Sequence, residues 1–176
     1  MKRIMYVFMV GFLLTSCFPE PEANDDDELS EEEYQKLLEE YKKSNEDYLT
    51  KNAGAEGVIV LESGLQYRVI DSGDPGAESP KLSSTVVVHY EGELIDGYVF
   101  DSSIQRSETA TLKVSEVIAG WTEILQLMVP GDKWFLFIPQ ELAYGKDGVF
   151  DERAGFFLIP PYSTLVFEIE LISIQP

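Results

Sequence analysis

The 176-residue chain contains one cysteine, Cys17, and one histidine, His89. A lone thiol closes no internal disulfide, and a lone imidazole without companion cysteines lacks the partners of a metal site. Cations are also scarce: 13 Lys and Arg stand against 32 Asp and Glu, a formal net charge of −19 at pH 7. Nucleic-acid binding uses clustered Lys and Arg to displace cations from phosphates, and no basic stripe is available for that. The acidity instead favours solubility and repulsion from anionic surfaces. No internal repeat is evident, and no apolar run approaches the ~20 residues of a membrane-spanning helix. What is present, 44% hydrophobic and 12% aromatic residues, is enough for one globular core plus appendages, since a domain takes roughly 100 to 200 residues.

The N-terminal stretch MKRIMYVFMVGFLLTSC sets Lys2 and Arg3 before an apolar run from Ile4 to Leu14. That is the layout of a secretory signal, expected over residues 1–16. The tetrad Leu14-Thr15-Ser16-Cys17 resembles the lipobox of bacterial lipoproteins, which implies lipidation of Cys17 on sulfur and its exposure as the new N-terminus. An ordinary signal peptide with an incidental Cys17 is the alternative. Residues 17–29 are rich in acids and proline with little to bury, and read as a disordered acidic tether. Acid-rich segments after a lipidated cysteine resemble surface-export signals of some Gram-negative lipoproteins; a solvated spacer accounts for the composition equally well. The expected location is the bacterial cell envelope, lipid-anchored at the outer membrane and facing the periplasm or the surface.

Ser30 followed by Glu33 is a capping-box pattern, and Tyr34, Leu37, Leu38, Tyr41, Tyr48 and Leu49 recur at helical spacing. The pattern predicts a helix over residues 30–52, closed by Asn52-Ala53-Gly54, whose apolar stripe packs on the following domain, stands as a stalk or self-associates. From residue 56 to 176 the signals become those of strands. GVIVLESGLQYRVID, STVVVHYEGEL, DKWFLFIP and TLVFEIELISI alternate or are rich in branched and aromatic residues. One helix interrupts them: Trp121, Ile124, Leu125 and Met128 share a face before the stop at Pro130-Gly131. The expected fold class is α+β, a curved antiparallel sheet wrapped around one short α-helix and preceded by an N-terminal helix.

The segment HYEGELIDGYVFDSS, residues 89–103, gathers aromatics and one aspartate at a turn without a convincing nucleophile, metal cluster or phosphate cradle. Together with VIAGW, LAYG and IPPYSTLVFEIEL, in that order and spacing, it resembles the FKBP-type peptidyl-prolyl isomerases. KNAGAEGVIVLESGLQYRVI further resembles the entry to the catalytic domain in the macrophage infectivity potentiator subgroup. Members of that subgroup often carry a larger helical dimerisation region; the shorter helix predicted here points to a monomer.

The resemblance implies a reaction that makes and breaks no covalent bond, with no cofactor, on proline-containing unfolded or exported polypeptides. It implies a prolyl-ring floor at Trp121 and walls at Tyr90, Phe100, Val117, Ile118 and Phe167. The Ile118 N–H and the Tyr144 hydroxyl match positions that hydrogen-bond ligand carbonyls. Asp101 matches the pocket carboxylate, Arg106 its basic partner, and Leu158 and Ile159 the groove border. A macrolide ligand of FK506 type is also implied. Taken without the resemblance, the aromatics read as core, Asp101 as a turn cap, and His89 as a hydrogen-bonded structural histidine.

Two stretches depart from the family pattern. SETATLKV leaves Ala110 or Leu112 where many relatives place an aromatic wall. GKDGVFDERAGFFLIPP is a longer loop, whose Phe150, Phe156 and Phe157 either extend the client surface or fold back. Its acids Asp147, Asp151 and Glu152 lack the ordered spacing of a calcium loop and read as solvated. A non-catalytic binding module and a purely structural adhesion protein are the rival functions.

Overall fold

Ser30 and Glu33 close the first turn of helix α1 (Glu31–Asn52) as a reciprocal cap. Ser30 Oγ accepts from Glu33 N at 3.3 Å, and Glu33 Oε2 accepts from Ser30 N at 3.0 Å. The helix start would otherwise leave these donors unpaired, a cost of about 1 kcal/mol. The structure, a computed structural model, describes residues 30–175. The signal segment, Cys17 and the acidic tether lie outside the described residues.

After α1 come the strands β1 (Ile59–Val60), β2 (Gln66–Asp71), β3 (Thr85–Leu94), β4 (Val99–Ser102) and β5 (Ala110–Lys113). Helix α2 (Ala119–Leu125) and strand β6 (Lys133–Ile138) follow, then β7 (Val149–Asp151), β8 (Phe156–Ile159) and β9 (Leu165–Gln175). The main sheet is antiparallel, in the order β1-β2-β6-β9-β3-β4, with β5 also pairing β3. Opposite β3 the register shifts twice, skipping Ile172 of β9 between Val87 and Val88 and Phe100 of β4 between Gly92 and Glu93; such irregularities bend and twist a strand. The segment expected as a long loop instead contains the separate hairpin β7-β8.

Alternation decides which side chains meet α2. Leu136 and Ile138 of β6, with Leu165, Phe167 and Ile169 of β9, join Trp121 and Ile124 in one core. Gly120 is what lets α2 lie close to the sheet, because a Cβ there would stand 2.6 Å from Ile138 Cγ2. Asp132 ties the turn after α2 to the loop after β2: Oδ1 accepts from Gly73 N at 2.8 Å and Oδ2 from Val129 N at 2.7 Å.

The intervening residues face the other way, and α1 covers part of that outer face. Tyr48 packs on Phe137 with ring centroids 6.3 Å apart. Asn52 Nδ2 donates to Gln66 Oε1 at 2.8 Å, while Gln66 Nε2 donates to Leu49 O at 2.9 Å. The most buried residue of α1 is polar: Asn45 is 2% exposed, and its Oδ1 accepts from Thr164 N at 2.7 Å. The C-terminal half of the stripe packs on the domain, whereas Leu37 in the N-terminal half remains exposed.

Candidate functional site

A cavity of about 510 Å³ opens where α2 approaches β3, β4 and β9. Trp121, 4% exposed, forms its base. Tyr90 meets the indole edge-on at 5.3 Å and 87°, and Phe167 does so at 5.2 Å and 79°. Phe100 stands perpendicular to Phe167 at 5.6 Å. Edge-to-face contacts place the positive ring edge against the negative face, worth about 0.5–1.5 kcal/mol each beyond burial. The rings are therefore fixed before any ligand arrives.

Gly92 makes room for this arrangement. A Cβ at that position would lie 2.4 Å from Phe167 Cε1 and 2.8 Å from Phe100 Cζ. Val117 and Ile118 line the approach to α2, and Leu112 of β5 supplies an aliphatic wall. Tyr144, 42% exposed, stands at the rim.

Asp101 sets a carboxylate at the cavity wall within hydrogen-bond reach of Tyr90 and Arg106. Tyr90 Oη donates to Asp101 Oδ2 at 2.5 Å, Arg106 Nη1 donates to Asp101 Oδ1, and Arg106 Nη2 donates to Tyr90 Oη at 3.1 Å. Burial pushes the Asp101 pKa up; the Tyr90 and Arg106 hydrogen bonds, the Arg106 charge and the Ser102 backbone together outweigh it and hold the group below the ordinary aspartate value. The Tyr90 hydroxyl is raised, first by burial and then by its bond to Asp101. Burial, followed by the Asp101 charge, also raises Tyr144. At neutral pH Asp101 is therefore an anion beside the Arg106 guanidinium, and Tyr90 and Tyr144 keep their phenolic protons.

Ser103, fully buried, fixes the turn carrying Asp101: its Oγ donates to Tyr90 O at 3.1 Å and accepts from Tyr90 N at 2.8 Å. The same Oγ lies 3.1 Å from His89 Nδ1, so the single histidine is hydrogen-bonded within this turn.

Tyr90, Phe100, Asp101, Val117, Ile118, Trp121, Tyr144 and Phe167 all line the one cavity. Arg106 joins through its ion pair with Asp101 rather than as a lining residue. Leu158 and Ile159 are not among its lining residues; Leu158 packs against the core and Ile159 is 3% exposed within it. Glu116 and Ala143 line the cavity without having been anticipated, although Glu116 directly precedes VIAGW and Ala143 lies within LAYG. Among the described residues no group of three His, Cys, Asp or Glu is placed to hold a metal, and no helix is long and apolar enough to cross a membrane.

A bent antiparallel sheet over one short helix, with an aromatic hollow between them, defines an FKBP-like α+β domain. Residues 76–172 match the FKBP-type peptidyl-prolyl cis-trans isomerase domain, and residues 20–69 match the domain amino terminal to it. The chain belongs to the FKBP-type peptidyl-prolyl cis-trans isomerase family. The FKBP-type 22 kDa peptidyl-prolyl cis-trans isomerase of Escherichia coli is 54% identical over 127 residues, 72% of this chain and 58% of that one. Outer membrane protein MIP of Legionella longbeachae is 47% identical over 143 residues, 81% of this chain and 58% of that one. The chain thus spans well under two thirds of the length of either relative. The crystal structure of FkpA from Escherichia coli aligns with a TM-score of 0.69 at 38% identity, covering 86% of this chain and 76% of that one.

Proposed function

We propose that the chain is a peptidyl-prolyl cis-trans isomerase acting on proline-containing segments of unfolded or exported polypeptides. The observation that carries this reading is the cavity floored by Trp121, walled by Tyr90, Phe100 and Phe167, and edged by the ionised Asp101. A prolyl ring fills an apolar hollow of this kind, and the Xaa-Pro carbonyl then lies among oriented dipoles.

Rotation about an Xaa-Pro amide is slow, tens of seconds or longer unaided. The barrier of roughly 18–20 kcal/mol for a peptide bond reflects conjugation between nitrogen and carbonyl. In the twisted state that conjugation is lost and the charge distribution at the carbonyl changes. A fixed environment that binds this state better than either planar isomer accelerates exchange, about tenfold for each ~1.4 kcal/mol of differential binding. Trp121, Tyr90, Phe100, Val117, Ile118 and Phe167 hold the ring in a water-poor space. The Asp101 field acts on the rotating carbonyl, with Arg106 fixing the carboxylate. Ile118 N–H and the Tyr144 hydroxyl bind substrate carbonyls. No proton transfer is needed.

The exposed Phe150 and Phe156 of the β7-β8 hairpin extend the client surface, while Leu158 and Ile159 support that hairpin from the core side. A macrolide of FK506 type competes for the same hollow. The active form is a monomer tethered through lipidated Cys17 in the bacterial cell envelope; the name of the Legionella longbeachae relative places that protein in the outer membrane. Mass spectrometry of the mature N-terminus tests the anchor. The function is tested by following cis/trans exchange of an Xaa-Pro peptide with the chain and its Asp101→Ala and Trp121→Ala variants. Acceleration lost in both variants supports the reading, and peptide binding without acceleration identifies a non-catalytic module instead.

A further inference from the structure

The geometry points to α1 as a positioning element of the cavity, with Tyr41, Lys42 and Asn45 holding the turn that sets Tyr144 and Phe167. The inference rests on the isomerase reading and deepens it. Tyr162 carries the observation that starts it: its φ of 64° places a bulky residue in the left-handed region. An L-residue stays there only where its surroundings hold it.

Two groups hold Tyr162, one from each side. Its backbone N–H donates to Gly145 O at 2.9 Å, next to Tyr144 at the cavity rim. Its ring lies under Lys42 Nζ of α1, 5.4 Å from the centroid. The next two residues are also held by α1. Tyr41 Oη lies 2.8 Å from Ser163 Oγ, and Ser163 Oγ donates to Pro160 O at 2.7 Å. Thr164 N donates to the buried Asn45 Oδ1 at 2.7 Å. Strand β9 begins at the following residue and places Phe167 in the cavity wall.

The segment on the Tyr144 side is packed just as tightly against this turn. Gly148 N donates to Tyr144 O at 3.2 Å. A Cβ on Gly148 would fall 2.4 Å from Ile159 O and 2.8 Å from Pro161 N. Gly145 N donates to Gln140 O at 2.9 Å, so releasing α1 loosens Tyr162, removes one of the two bonds that fix Gly145 and leaves the Tyr144 hydroxyl less well placed. Because Tyr144 is an outer contact with the bound carbonyl rather than the floor under the ring, the loss falls on substrate affinity.

The test compares the full chain with Tyr41→Phe, Lys42→Gln and Asn45→Ala, and with Lys36→Gln on the exposed half of α1 as a control. Tyr41→Phe keeps the ring and removes only the bond to Ser163, so it stays informative where Asn45→Ala loses structure. Steady-state isomerisation of an Xaa-Pro peptide is measured alongside NMR shifts of the Tyr144 ring and the Gly145 amide. The expected result is a KM raised at least threefold with kcat within twofold, shifted Tyr144 and Gly145 signals, and no change in the control. Unchanged Tyr144 signals and KM in folded variants whose Tyr162 resonances have moved would overturn the inference. If the parent chain shows no isomerisation, the functional reading fails while the Tyr144 shifts still decide the coupling.

Discussion

The Tyr90 hydroxyl and the Asp101 carboxylate, on adjacent strands β3 and β4, are joined by a 2.5 Å hydrogen bond at the edge of the cavity. Removing it in Tyr90→Phe deprives Asp101 of a donor that lowers its pKa. Asp101 is depressed when folded, so its contribution is present above the unfolded value of about 3.9 and is lost as pH falls through the lower folded value. Its side chain is 42% exposed, so solvent screening keeps the stability share small. In Tyr90→Phe the acid limb of a pH profile of kcat/KM shifts to higher pH, and activity at pH 7 drops several-fold.

Gly92→Ala pushes a methyl group into Phe167 and Phe100. Overpacking of this kind costs about 1–3 kcal/mol. Urea unfolding detects the stability loss, and kcat/KM falls by more than the change in folded fraction accounts for because the ring geometry moves.

Asp132→Ala tests the clamp on the other side of the domain. The carboxylate is 5% exposed and accepts from Gly73 N and Val129 N, both of which are left without that partner. The expected loss is about 1–3 kcal/mol, since the two donors are only part-buried and water partly replaces the lost acceptor. Activity of the folded fraction is unchanged.

Glu93 is destabilised in its charged form, first by burial and then by the like charges of Glu91, Asp96 and Glu168. Its folded pKa is raised, so the fold is favoured below the unfolded value of about 4.3 and loses that advantage as pH rises through the folded value. Glu93→Gln is therefore stabilising at pH 7, by about 0.5 kcal/mol, and near neutral at pH 4. Thermal unfolding at the two pH values checks the sign.

The sequence and the structure agree where a local signal has one structural solution. Ser30 and Glu33 announced the start of α1, and the period shared by Trp121, Ile124 and Leu125 announced the face of α2 that the sheet covers. The cavity residues were legible through ordered motifs, not through composition: Phe100 and Phe167 by themselves read as core. The docking of α1 was not legible, because its anchor is a polar residue, Asn45, whose partner Thr164 lies 119 positions away. The hairpin β7-β8 was hidden because its strands, Val149–Asp151 and Phe156–Ile159, are too short for alternation to register. The same brevity concealed that Ile159 is buried in the core.

The most direct test is NMR exchange spectroscopy on a short Xaa-Pro peptide, comparing the full chain with Trp121→Ala at matched folded concentration. The account predicts that substoichiometric protein speeds cis/trans exchange at least tenfold over the uncatalysed rate, and that Trp121→Ala abolishes most of this gain. Exchange at the uncatalysed rate with peptide bound, or full acceleration by Trp121→Ala, would contradict it.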